Sequence, residues 1–255
     1  MAINFERGAI IAKVLNSKLK NDVLHVTDKT EEVKDHFSVY DCKDKESIQQ
    51  IPDKQKERQI LYITGASGSG KSYYTYLYCE QYRKLYPKNP IYLISSVNDD
   101  SSIDKIKGLK RFDLNPKFIE TPISVEDFKN SMVIFDDTDC ITSKILRNKI
   151  NGLLGSILET GRHFNTSCVY TSHVANAGLD TKKILNESHS ITIFPSSLGG
   201  RALKYLLDNY LGFDKEQIKK IKKIKSRWIT ITKTYPMAVL YQSGAYLVNN
   251  NEDDV

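Results

Sequence analysis

The stretch GASGSGKS (65–72) constrains this chain more than any other. It follows the apolar run ILYIT (60–64) and leads into a helix-like segment from 72 to about 86 that Pro87 stops. The spacing is G-x-x-x-x-G-K-[S/T], a loop that cradles phosphate. Glycines let the backbone curl, so the N–H groups of Gly65, Ala66, Ser67, Gly68, Ser69 and Gly70 can point inward at phosphate oxygens. The helix that starts near Lys71 adds the positive end of its dipole. The Lys71 ammonium is expected to reach the β- and γ-phosphates, and the Ser72 hydroxyl to ligate Mg²⁺. A glycine-rich turn can arise by chance, but an apolar run before it and a helix after it are the context a nucleotide loop needs. ATP and Mg²⁺ are the expected ligands.

Four more short apolar runs read as buried strands: IYLIS (91–95), MVIFD (132–136), CVYTS (168–172) and ITIF (191–194). Helix-like segments alternate with them. The expected fold is therefore α/β, with a mostly parallel central sheet and helices on both faces. Binding alone needs only the loop; hydrolysis also needs a metal carboxylate and a group that orients water. The run SMVIFDDTDC supplies paired acids at a strand end. Asp136 is the expected Mg²⁺ carboxylate and Asp137 the expected partner of the attacking water. Many motor ATPases carry glutamate at the second position, so the shorter aspartate is a departure. Asp137 could equally be a turn or helix-capping residue, and Asp139 reads as a turn residue. By analogy with the additional-strand (RecA/FtsK-like) P-loop NTPases, CVYTSH should lie between the loop strand and the acid strand. Ser172 and His173 would then end it near the γ-phosphate, although His173 could also be an ordinary loop histidine.

Residues 1–57 read as a small β-rich or mixed appendage, with GAIIAKVL, DVLHVTD and FSVYD as short strands. The ATPase domain is expected over 58–248. It ends in a helix/β extension: helices in GGRALKYLLDNYLGF and DKEQIKKIKKIKSR, then strands in RWITITKTY and MAVLYQSGAYLV. The tail, 249–255, is expected to be disordered. A net charge of +6 suits a polyanionic partner without requiring one. Four scattered cysteines lack metal-type pairing and read as reduced thiols. The histidines lack zinc-ligand spacing, and no segment approaches membrane-spanning length.

Taken together, GASGSGKS, VIFDD and LETGRHFNTS followed by SH resemble the poxvirus-type DNA-packaging ATPases of large double-stranded DNA viruses, in the FtsK/HerA superfamily. The resemblance covers about 60–194. It implies a homo-oligomeric ring that hydrolyses ATP to pull double-stranded DNA into a capsid, with a capsid or portal component as partner. The implied place of action is the cytoplasmic viral factory, the virion, or both. It matches 65–72 to the nucleotide loop, Asp136 and Asp137 to the metal and water acids, and Arg162 and His163 to the GRH pair. His173 stands where this superfamily usually has glutamine. A histidine can hydrogen-bond there, but its charge varies with pH.

Arg162 could complete a neighbouring subunit's site, as arginines do in ring ATPases, or pair with Glu159 of its own subunit. Arg201 and Arg227 are weaker candidates for the same task. Lys215, Lys219, Lys220, Lys222, Lys223, Lys225 and Arg227 surround a stripe of Ile218, Ile221 and Ile224. That is either a solvated amphipathic helix or a salt-sensitive contact to the DNA backbone. Tyr74, Tyr78 and Tyr82 share a helix face and read as packing residues rather than base-stacking ones. Two other functions stay open: a small nucleotide kinase, for which no arginine-rich lid is visible, and a non-catalytic nucleotide-binding scaffold. A GTPase is disfavoured, because NKIN (148–151) ends in Asn151 where guanine recognition needs aspartate.

Overall fold

The computed structural model describes residues 1–19, 22–175 and 179–248; the tail expected to be disordered lies outside the described residues. Six strands come first: β1 (Ala2–Asn4), β2 (Ala9–Leu15), β3 (Val23–Thr27), β4 (His36–Phe37), β5 (Val39–Asp41) and β6 (Ser47–Gln50). The α/β part follows as β7 (Ile60–Thr64), α1 (Lys71–Leu85), β8 (Ile91–Ser95), β9 (Leu109–Arg111), α2 (Pro116–Glu120), β10 (Met132–Asp136), α3 (Lys144–Thr160), β11 (Ser167–Ser172), α4 (Leu179–Glu187) and β12 (Ser190–Ile193). The chain closes with α5 (Gly200–Tyr205), α6 (Lys215–Lys223), β13 (Ile229–Thr232), β14 (Ala238–Tyr241) and β15 (Gly244–Leu247).

The central sheet has ten strands in the order β5-β15-β14-β13-β12-β7-β11-β10-β8-β9. From β12 to β9 the neighbours run parallel; from β12 to β5 they run antiparallel. Thus β11 lies between the loop strand β7 and the acid strand β10, as the additional-strand P-loop fold requires. Every residue of β7, β10, β11 and β12 is buried, which explains their unbroken apolar runs. Alternation divides them between two cores. Ile60, Tyr62, Val133 and Phe135 face the side covered by α3, α4 and α5. Leu61, Ile63, Met132 and Ile134 face α1, which presents Tyr74, Tyr78 and Tyr82 to them.

Helix ends are closed by side chains. Ser143 caps α3, and Asp214 and Gln217 cap α6 reciprocally. The last carbonyls of α3 take the Arg58 guanidinium, at 2.7 Å from Ile157 O and 2.9 Å from Leu158 O. On α6, Ile218 and Ile221 are buried and the lysines are exposed. No helix among the described residues is long and apolar enough to cross a membrane.

The N-terminal strands form a five-stranded antiparallel sheet, β4-β1-β3-β2-β6, but β5 joins the central sheet as its edge beside β15. Ile3, Ile11, Val14 and Leu24 share a core with Leu240, Ala245 and Leu247. A polar network ties the same region to α1. Tyr74 Oη donates to Gln50 Oε1 at 2.8 Å and lies 2.7 Å from Thr230 Oγ1, while Gln50 Nε2 donates to Ser190 Oγ at 2.7 Å. MAVLYQSGAYLV, which reads as one strand, is a hairpin of β14 and β15 turning at Gln242 and Ser243. The edge strand β9, with sequence LKR, has no apolar run to betray it.

The loop strand is also fixed by a histidine. His189 Nδ1 accepts the Ile60 N–H at 2.9 Å, so the ring is held neutral at that nitrogen. Burial, with Lys56, Arg58 and Lys233 nearby, pushes its pKa down from 6.5 to about 4. Between these values the unfolded chain binds a proton that the folded chain does not, so stability falls as pH drops from 6.5 to about 4. His189→Asn keeps an acceptor for Ile60 N–H without titrating. Urea unfolding of this variant should be less sensitive to pH across that window than the wild type, by an amount on the order of 3 kcal/mol. Equal pH dependence in the two proteins would contradict the assignment.

Candidate nucleotide site

The glycine loop joins β7 to α1 at the carboxyl edge of the parallel strands. Gly68 (φ +73°) and Gly70 (φ +116°) occupy the left-handed region that side chains rarely enter. Gly65 is required for a different reason: a Cβ there would stand 2.8 Å from Ser69 Oγ and 3.0 Å from Phe194 Cβ. The loop is pinned to its neighbours. Gly65 N–H donates to Ser172 O at 3.2 Å, and Ala66 N–H donates to Ser197 Oγ at 3.1 Å.

Lys71 is buried, with 6% exposure, at the mouth of the loop. Its ammonium donates to Gly65 O at 3.0 Å and to His173 Nδ1 at 3.2 Å, and stands 3.7 Å from Asp137 Oδ1. His173 Nε2 is 2.9 Å from Asp137 Oδ2. The two contacts assign the tautomer: Nδ1 accepts from the ammonium, so Nε2 carries the hydrogen and donates to the carboxylate. Lys71, Asp137 and His173 therefore form a closed polar triangle. Asp137 holds a left-handed backbone (φ 48°) just before the short turn Thr138–Cys140, so it ends the strand and starts the turn while its carboxylate serves the triangle.

Asp136 lies behind this triangle with 2% exposure. Its Oδ2 accepts from Ser95 Oγ at 3.0 Å and its Oδ1 from Thr171 Oγ1 at 2.8 Å. Burial and the neighbouring Asp137 raise its pKa above the usual aspartate value, against the pull of the Thr171 and Ser95 hydrogen bonds. Both bonding partners are neutral hydroxyls, and no ion pair reaches Asp136 among the described residues. A buried carboxylate without a counter-charge, together with the hydroxyl of Ser72 at the start of α1, is an oxygen donor set suited to Mg²⁺.

Thr171 and Ser95 are site residues that the sequence reading missed. Thr171 Oγ1 donates to Asp136 and accepts the Asp137 N–H at 3.0 Å, so one hydroxyl sets both acids. Strand alternation carries the signal: Tyr170 pairs with Phe135, which puts Thr171 next to Asp136. Ser172, one candidate for the strand end, instead donates to Asp139 at 2.8 Å, so Asp139 is more than a turn residue.

The arginines separate clearly. Arg162 is exposed in the turn Gly161–Phe164, before the amino end of β11 and away from the carboxyl edge where the loop sits. It cannot reach its own subunit's loop. Its expected cis partner Glu159 pairs with Lys183 instead, at 2.7 Å. Arg227 lies against its own loop, with Nε donating to Ser69 O at 3.0 Å, which corrects its reading as an arginine for a neighbour's site. Arg201 shares a groove with His173, Ser197 and Tyr205 beside the site. His163 is exposed next to Arg162.

A buried, uncompensated acid costs stability. Asp136→Asn should therefore raise the thermal midpoint measured without divalent cations, corresponding to about 1 kcal/mol. A lowered midpoint would show that the carboxylate already has a stabilising partner.

No family model matches the chain. Its fold is similar to the crystal structure of B204, the DNA-packaging ATPase of Sulfolobus turreted icosahedral virus, with a TM-score of 0.50 and 15% identity over 72% of this chain and 97% of that one. The cytoplasmic domain of the type VII secretion ATPase EccC of Thermomonospora curvata gives a TM-score of 0.48 and 12% identity, covering 72% of this chain and 25% of that one. Protein V3 of Sputnik virophage is 36% identical over 236 residues, 92% of this chain and 93% of V3. That identity runs through both sheets and the site between them, and the chain belongs to the family of Sputnik virophage protein V3.

Proposed function

We propose that this chain is an ATP-hydrolysing motor that translocates double-stranded DNA, packaging a viral genome into its capsid. The observation that carries this reading is the triangle of Lys71, Asp137 and His173 over the glycine loop, with Asp136 buried behind it. A γ-phosphate cradled by 65–72 would lie beside the Lys71 ammonium. Asp137 is then close enough to polarise an attacking water, and His173, donating through Nε2, takes the sensing position. Ser72 and Asp136 would hold Mg²⁺, which when bound neutralises charge building on the phosphates. Three polar groups gathered on one loop favour turnover over a scaffold that only retains nucleotide.

Two relatives support the viral assignment. B204 is described as a DNA-packaging ATPase, and V3 comes from a virophage. The finer likeness to poxvirus-type packaging ATPases rests on the segment GRHFNTS before β11. A ring follows from Arg162: standing apart from its own loop, it is free to enter a neighbour's, where a guanidinium would offset transition-state charge. The exposed lysines of α6 would meet the DNA backbone without reading sequence. On this reading 58–248 is the motor domain, and the protein acts where capsids are filled, in the viral factory or on the virion.

Steady-state ATP hydrolysis with and without linear duplex DNA tests the proposal. DNA should stimulate turnover, added salt should weaken the stimulation, and Lys71→Ala should abolish turnover. Mixing Arg162→Ala with Lys71→Ala chains should restore part of the activity that each lacks alone. Turnover indifferent to DNA would contradict the motor, and a mixture as inactive as its parts would contradict the role of Arg162 in a neighbour's site.

A further inference from the structure

We propose that the seam between the N-terminal sheet and α1 is the nucleobase site for the nucleoside triphosphate held by the loop. The inference rests on the nucleotide reading of 65–72 and gives the N-terminal sheet a task in that site. A cavity of about 210 Å³ opens at the seam. It meets the phosphate loop at one end. Gly70 lines it, and a Cβ on Gly70 would stand 3.3 Å from Arg227 Nη2 and 3.3 Å from Phe194 Cε1, both residues of the cavity wall. Arg227 in turn donates to Ser69 O. The γ-phosphate belongs beside Lys71, Asp137 and His173, none of which lines this cavity. The sugar and base must leave the loop by another route, and the cavity at Gly70 provides one.

Its walls have the chemistry of a base site: mostly apolar and aromatic, with few polar groups. Leu15 and Ile48 come from the N-terminal sheet, and Leu77, Tyr73 and Trp228 complete the apolar lining. Gln49 Nε2 donates to Leu77 O at 3.2 Å, which leaves its amide oxygen as an acceptor for an exocyclic amine. Tyr73 is the informative tyrosine of α1. Tyr74, Tyr78 and Tyr82 are used by the core, whereas Tyr73, the residue after Ser72, is 55% exposed. A ring left in solvent at the edge of an apolar cavity can stack on a base without disturbing the fold. Trp228 stands edge-on to Tyr74, with centroids 5.1 Å apart, so the cavity floor is aromatic as well.

Trp228 is the only tryptophan in the chain, so its emission reports on this cavity. The test compares ATP with inorganic tripolyphosphate, which offers the loop phosphates but no base, by Trp228 fluorescence and by titration calorimetry. ATP should change the emission, and tripolyphosphate should bind without changing it. Tyr73→Ala, and Ser47→Phe filling the cavity from β6, should each weaken ATP about tenfold or more while leaving tripolyphosphate within about twofold. Equal affinity for the two ligands, a silent Trp228 and no effect of either variant would overturn the base site while leaving the phosphate loop intact. If neither ligand binds, or Lys71→Ala binds both as well as the wild type, the phosphate-loop reading fails and the base site fails with it.

Discussion

Parallel pairing of β11 with β7 on one side and β10 on the other holds the polar groups of the site in register. Ser172 lies opposite Thr64, which lets its carbonyl take the Gly65 N–H and anchor the start of the loop. Tyr170 lies opposite Phe135, which brings the Thr171 hydroxyl between the two acids. The next residue, His173, then arrives between Lys71 and Asp137. A slip of one residue would turn Thr171 to the other face and leave Asp136 buried with half of its hydrogen bonds. The apolar strands do more than form a core, because their burial on both faces specifies the register that the chemistry needs.

That dependence explains what the sequence could reveal. The loop was legible because phosphate binding demands glycines at fixed spacing, and the five central strands because burial on both faces leaves unbroken apolar runs. Asp136 and Asp137 were legible because acids ending such a run are costly without a function. Thr171 and Ser95 were not, since a hydroxyl in a strand looks like any β-former until the pairing is known. Arg227 was misread because its partner, the Ser69 carbonyl, lies 158 residues away. The hairpin of β14 and β15 was hidden for a similar reason: Gln242-Ser243 gives only a weak turn signal inside an apolar stretch.

Residues 1–57 had the weakest sequence signal, yet they pack most closely on the site. Short antiparallel strands between charged turns suggest an accessory. In the folded chain, however, β5 extends the central sheet, and Gln50 joins Tyr74, Thr230 and Ser190 in a buried network. Such a network is stable only when every member is satisfied, so it locks the N-terminal sheet to the helix that carries Lys71 and Ser72. Movement of α1 on nucleotide turnover would be felt directly by the N-terminal sheet. In a ring, that coupling offers a route from phosphate chemistry to neighbouring subunits.

The central claim is that hydrolysis at this loop moves duplex DNA. Displacement of a fluorescent third strand from a linear duplex measures this directly, because a translocating motor strips the triplex when it arrives. The account predicts release that requires ATP, is delayed in proportion to the distance from the free end, and is absent with Lys71→Ala. Robust ATP hydrolysis with no release of the third strand at any distance would contradict it.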